Sequence, residues 1–137
     1  MGNYAEDYME GDILTEATAT TVEHLFAALN RHDIDALTAA ITPDCVLEAP
    51  GPPPDGARHT GRDGVRAYWE ELFGREPGVA FEVEESLGAG DACAVRYTHR
   101  RDAADKDSGH VRAAGLFRVR SGRVAEMRFY VKAPTAF

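Results

Sequence analysis

Residues 79–131 decide the fold: VAFEVEESL (79–87), ACAVRYTHR (92–100), VRAAGLFRVR (111–120) and VAEMRFYV (124–131). Each run is rich in β-branched or aromatic residues, which suit a pleated, half-buried strand. Gly88-Ala89-Gly90-Asp91 and Ser121-Gly122 are natural hairpin connections, and the polar stretch from Asp102 to Gly109 makes a longer hairpin tip. The four runs predict an antiparallel meander.

Upstream of this block the apolar period changes. Val22, Leu25, Phe26 and Leu29 fall at i, i+3, i+4 and i+7, the stripe of an amphipathic helix that the pattern starts at Thr18. Asp33 is placed to cap a second, short helix with Ile34, Leu37 and Ile41 inward, stopped by Pro43. Cys45 to Ala49 reads as a short strand closed by Pro50. Gly51-Pro52-Pro53-Pro54-Asp55-Gly56 is a loop, because three prolines fix φ and remove backbone donors. Thr60-Gly61-Arg62-Asp63 fits an acidic capping box opening a third helix through Val65, Tyr68, Trp69, Leu72 and Phe73, ended by Gly74 and Pro77. Helices first and meander last is an α+β pattern. A twisted antiparallel sheet with about three helices on its concave face closes into a cone enclosing a pocket.

The 137 residues, 44% hydrophobic and 28% charged, fit one domain. Residues 1–16 carry Glu6, Asp7, Glu10, Asp12 and Glu16 with no basic residue, which predicts a mobile acidic tail ahead of a single domain over 17–137. Tyr4, Tyr8 and Met9 are the residues that would dock such an arm instead. No run of about 18 apolar residues is present to cross a bilayer, and the N-terminus lacks the basic and apolar regions of a signal peptide, so a cytoplasmic protein without membrane contact is expected. Two cysteines, Cys45 and Cys93, are too few for a disulfide framework and read as buried strand residues.

The net charge of −8 argues against nucleic acid. It hides an asymmetry: residues 1–95 hold 5 basic and 19 acidic side chains, residues 96–137 hold 10 and 4. Strand parity gives the basic half a place. Arg96, Arg112 and Arg118 alternate with apolar residues onto one face, where Glu82 and Glu84 of the neighbouring strand can pair with them.

Several short runs together resemble a known family: Asp33-Ile34-Asp35-Ala36-Leu37, Pro43-Asp44-Cys45-Val46-Leu47-Glu48-Ala49-Pro50, Thr60-Gly61-Arg62-Asp63-Gly64-Val65 and Ser121-Gly122-Arg123-Val124. In order and spacing they look like the nuclear-transport-factor-2-like superfamily, nearest to SnoaL-like polyketide cyclases and ketosteroid isomerases, over residues 18–132. The resemblance implies the cone fold, a small apolar metabolite such as a polyketide or terpenoid, and a homodimer through the outer sheet face. It implies a carboxylate base where this chain has Ala49, a tyrosine at Leu25 and a buried acid near Gly115. None of these three side chains transfers a proton, so the usual isomerase route is disfavoured.

Parity supplies the replacements. Cys93, Val95, Tyr97 and His99 share the more apolar face of their strand, making Tyr97 and His99 the polar groups expected in the cavity. Histidine titrates near neutrality and works as acid or base, and tyrosine polarises a carbonyl; the competing reading puts His99 at the solvent-exposed end of its strand and has Tyr97 only anchor ligand or core. Glu48, at the strand end, and His59, beside the proline loop, stand in reserve, with a surface ion pair and an inert loop residue as their competing readings. Leu47, Ala49, Tyr68, Trp69, Phe73, Val95, Ala113, Gly115, Phe117, Met127 and Phe129 would line the site, the small residues among them leaving space between larger walls. His24, His32 and His110 have no evident partner. With no HxH or HExxH spacing, neither a metal nor another cofactor is expected. The function expected is small-metabolite binding with cofactor-free cyclase, dehydratase or isomerase chemistry. The alternatives are a catalytically silent accessory protein of the same fold and a protein-protein module.

Overall fold

The computed structural model describes residues 3–132, with side chains described from residue 11 onward. Three helices, α1 (Asn3–Arg31), α2 (Ile34–Ala39) and α3 (Gly61–Arg75), accompany six strands: β1 (Ile41–Glu48), β2 (Arg58–Thr60), β3 (Ala80–Ala89), β4 (Ala92–Arg100), β5 (His110–Arg120) and β6 (Arg123–Val131). They form one sheet in the order β2-β1-β6-β5-β4-β3. The meander β3 to β6 is antiparallel as the sequence predicts.

Two features of the sheet differ from expectation. β1 lies parallel to β6, with Leu47 opposite Met127 and Glu48 opposite Arg128. The prolines of the loop also give way to a three-residue strand, β2, antiparallel to β1, too short to carry a readable period. Pro43 stops no helix. The helix ends at Ala39, and Pro43 lies within β1 where the ladder to β6 skips from Ile41 to Val46. A residue without an N–H is tolerated there because no ladder bond is asked of it.

Helix α1 buries Val22, Leu25, Phe26 and Leu29 as its spacing requires. The helix begins at Asn3, within the stretch read as an acidic tail. Ile13 and Leu14 remain 62% and 49% exposed, so no apolar stripe announces this half of the helix. Among its described side chains the hold on the domain is polar. The Gly90 N–H donates to Thr15 Oγ1 at 2.9 Å, and Thr18 Oγ1 donates to the Gly90 carbonyl at 2.7 Å, gripping the β3–β4 turn from both sides. Tyr4, Tyr8 and Met9 lie outside the described side chains. Further along α1, Asn30 bonds both backbone groups of Phe81, accepting from its N–H at 2.7 Å and donating to its carbonyl at 3.0 Å.

Asp33 caps α2 by accepting from the Ala36 N–H at 3.0 Å. The capping box at Thr60 does not form: Thr60 makes no side-chain cap bond, and Gly61 follows with φ of 83°. His32 has a partner after all. Its Nε2 lies 2.8 Å from the Val79 carbonyl, and its ring stacks on Phe73 at 4.3 Å, which turns Phe73 toward α1.

The convex face carries the basic half of the chain as ion pairs. Arg112 meets Glu84 at 2.9 Å, Arg118 meets Asp91 at 3.0 Å, and Arg96 lies 3.8 Å from both Glu84 and Glu85. Exposed pairs of this kind contribute at most about 1 kcal/mol each. The Thr98 hydroxyl donates to Glu84, and this bond, with the nearby Arg112 and Arg96, holds the Glu84 carboxyl below its ordinary pKa against the opposing effect of burial. A depressed folded-state pKa contributes stability above the unfolded value and loses it as pH falls through the folded one. Glu84→Gln is therefore expected to be less stable than the native chain at pH 7, with the difference shrinking as the pH is lowered through and below the ordinary glutamate range, which urea unfolding along a pH series would test.

Candidate functional site

The inner face of the sheet follows the parity of its strands. Leu47, Val95, Tyr97, Ala113, Phe117, Met127 and Phe129 are all 6% exposed or less, and α1 and α3 cover them with Phe26 and Trp69. Their rings meet edge to face: Phe26–Tyr97 at 5.4 Å, Phe81–Tyr97 at 5.9 Å, Trp69–Phe129 at 5.7 Å and Phe117–Phe129 at 5.8 Å. Such pairs contribute about 0.5–1.5 kcal/mol each beyond the area they bury. The space expected at Gly115 is taken, since a Cβ there would lie 2.7 Å from the Phe117 ring and 3.2 Å from Phe129. The side chains expected to wall a cavity thus pack on one another, and open space lies at the mouth of the cone.

At that mouth Ala49, the proline loop, His59, Tyr68, Glu71 and Arg75 surround a cleft of about 390 Å³. The loop is fixed by backbone bonds, Ala49 N–H to the Ala57 carbonyl at 2.8 Å and Ala57 N–H to Gly51 at 3.0 Å. Gly56 is obligatory in it: φ is 80°, and a Cβ would fall 1.9 Å from the Ala49 carbonyl oxygen. His59 leans on the Tyr68 ring at 5.0 Å. Tyr68 in turn packs edge-on against Trp69 at 5.1 Å, so its ring separates the cleft from the aromatic interior.

The polar groups behind this rim are unusual. Trp69 is 2% exposed and its Nε1–H has no hydrogen-bond partner among the described residues. A buried donor left unpaired costs about 1–3 kcal/mol. Burial pushes the Tyr97 phenol well above its ordinary pKa, and the nearby Tyr68 adds to the effect. The Tyr68 phenol is also raised by burial, with Arg75 opposing and Glu76 and Glu71 reinforcing the shift. Both phenols therefore hold their protons at neutral pH and can serve as donors.

His99 sits at the end of the same inner face, with Phe81 against its ring at 5.1 Å. Its Nε2 lies 2.9 Å from Glu76 Oε1, both side chains being mostly buried, and a groove of about 420 Å³ bounded by Arg101, Ser108 and His110 opens beside the pair. Glu76, Glu71 and Arg75 were not singled out in the sequence. Glu76 immediately precedes Pro77, which favours extended backbone and ends α3, a position read only as punctuation. Glu48 takes its surface role, 3.5 Å from Arg128 on the convex face. Burial pushes the Cys45 thiol up to about 12 and raises Cys93 as well, so neither is a ready nucleophile. Among the described residues no cluster of three or more His, Cys, Asp or Glu is placed to hold a metal ion, and no helix is long and apolar enough to cross a membrane.

Comparison with solved structures returns the same architecture. An NTF2-like protein of unknown function from Mesorhizobium loti is 35% identical, with 87% of this chain covering 93% of that one at a TM-score of 0.75. A provisionally named polyketide cyclase from Sinorhizobium meliloti is 25% identical, over 80% of this chain and 93% of that one, at 0.66. A provisionally named ketosteroid isomerase from Kribbella flavida, 21% identical over 89% and 82% at 0.74, shares the fold. No curated protein matches. The family model described as the SnoaL-like domain matches residues 22–127, from within α1 into β6, and the chain belongs to that family.

Proposed function

We propose that this chain binds a small, largely apolar metabolite at the mouth of the cone and performs cofactor-free proton transfer on it. The hydrogen bond between His99 and Glu76 carries the reading. With the imidazole Nε2–H directed at the carboxylate, Nδ1 keeps its lone pair and is free to take a proton. Tyr97 stands two residues away on the same face of β4, and Phe81 touches both rings. A carbonyl ligand would lose a proton from the carbon beside its carbonyl to His99. The electron pair would move onto oxygen, held by the Tyr97 or Tyr68 hydroxyl, and return of the proton at another carbon completes an isomerisation. Elimination or ring closure from the same enolate gives dehydration or cyclisation.

A catalytically silent binder is the second reading, favoured by Ala49 and Gly115 standing where the family resemblance implies acids. Exchange of the protons beside the carbonyl of 2-tetralone, followed by NMR in D2O, separates the two. The native chain is expected to accelerate exchange, His99→Ala to lower the enzyme-dependent rate about 100-fold and Glu76→Gln about tenfold. Unchanged rates in both variants would remove the mechanism and leave the silent binder.

The proposal includes a homodimer in the cytoplasm. Both cysteines are free and buried, which suits a reducing compartment. On the convex face Leu87, Leu116 and Tyr130 are 66%, 45% and 54% exposed among the ion pairs, an apolar set able to meet its copy across a twofold axis. Light scattering is expected to give twice the chain mass for the native protein and the single mass for Leu116→Arg. A native monomer at micromolar concentration would discard the dimer.

A further inference from the structure

Helix α1 runs beside β3, the last strand of the sheet, and is pinned there at two places. Thr15 and Thr18 grip Gly90 in the turn after the strand, and Asn30 bonds both backbone groups of Phe81 near its start. From Thr18 to Asn30 the helix rises about 18 Å. From Phe81 to Gly90 an extended chain covers about 30 Å. The strand is the longer path, and its ladder to β4 slips between Val83 and Glu85, a bulge of the kind that bends a strand. Between the pins, helix and strand stand apart over a crevice of about 300 Å³.

On the helix side Ala19, Glu23 and Ala27, at i, i+4 and i+8, present two methyl groups and one carboxylate to this crevice. Val22, Phe26 and Val95 give it an apolar floor, and Val83 and Ser86 form the strand wall. Glu23 is the one charged residue of the lining and joins none of the ion pairs among the described residues. Its charge is felt at the Cys93 thiol, which also lines the crevice and is raised by burial first and by Glu23 second. Because Asn30 holds the backbone groups of Phe81 from beyond the edge of the sheet, those of Val83, two residues on, turn the same way. A carboxylate, a hydroxyl and a strand carbonyl therefore border one apolar crevice. It shares no lining residue with the mouth cleft or with the groove beside His99.

We propose that the crevice between α1 and β3 is a second ligand site, independent of the mouth, for a small primary amine carried on a flat apolar body. An ammonium group has three donors and no acceptor, which matches Glu23, the Ser86 hydroxyl and the Val83 carbonyl. A carboxylate in its place meets the Glu23 charge, and a neutral group leaves that charge without a partner. The size follows from the volume. A cavity of roughly 150 Å³ holds benzene, so about twice that space takes two fused rings with a short arm.

Titration with 2-(1-naphthyl)ethylamine and with 2-(1-naphthyl)ethanol, followed by the methyl resonances of Ala19, Ala27 and Val83, tests the site. The amine is expected to shift these methyls saturably and to bind about tenfold more tightly than the alcohol. Glu23→Gln, an exposed helix position, is expected to reduce that preference to about twofold while leaving the alcohol's affinity within about twofold. Ala27→Phe fills the crevice from its rim and is expected to abolish binding of both probes there. Equal affinities for the two probes, a preference undiminished in Glu23→Gln, or binding unchanged in Ala27→Phe would overturn the site. Loss of amine binding in Glu71→Gln in place of Glu23→Gln would put the amine at the mouth and overturn it equally. The His99-dependent exchange of 2-tetralone protons is expected to be the same in Glu23→Gln as in the native chain, so either proposal can fail while the other stands.

Discussion

Everything at the mouth of the cone depends on one pairing, that of β1 with β6. The meander from β3 to β6 is held by its own hairpins, but the helical half of the chain joins the sheet's ladder of backbone bonds only through β1. Leu47 and Met127, opposite one another and both fully buried, anchor the ladder, and the pairing carries Ala49 and the proline loop to the side of Phe129. A parallel neighbour requires a long crossover between the strands, and here that crossover is most of the protein. The connection brings α3 onto the concave face, and α1, which precedes β1, completes the cover that the apolar side of a curved sheet requires.

That arrangement separates two jobs usually combined in one pocket. The interior is given over to ring-against-ring packing, which stabilises the cone, while polar chemistry is displaced to its rim. Where the resemblance implies a carboxylate at the end of β1, Ala49 contributes backbone groups, its N–H bonded to the Ala57 carbonyl and its own carbonyl leaving no room for a Cβ at Gly56. The available carboxylate comes from the other side of the opening, at the end of α3, and reaches an imidazole rather than a ligand. Tyr68 belongs to both regions, packed against Trp69 yet lining the cleft.

The periodic features were legible. An i, i+3, i+4, i+7 stripe located the buried face of α1, and alternation on β4 and β5 put Arg96, Arg112 and Arg118 on the outer face, where Glu84 meets the first two as expected but Arg118 meets Asp91 and Glu82 meets Arg100. What escaped reading was set by groups without a period. β2 has three residues. Residues 11–17 of α1, the described part of its first half, bury no stripe, and the hydroxyls of Thr15 and Thr18 hold the helix to a turn some seventy residues away. Glu76 is one carboxylate among many in an acidic segment, and only the angle at which α3 ends brings it to His99. The free indole donor of Trp69 is likewise invisible in a sequence, where tryptophan at a helical core position looks simply apolar.

The double bond between Asn30 and Phe81 has a meaning beyond local geometry. β3 is the last strand of the sheet on its side, and its outward backbone groups would otherwise be a template for another chain. By offering one acceptor and one donor to the same residue, the Asn30 amide stands in for a further strand, while Glu82, Glu84 and Glu85 charge the remainder of that border. At Phe81 the edge is thereby closed by a side chain, and an incoming strand would have to displace the Asn30 amide to pair there.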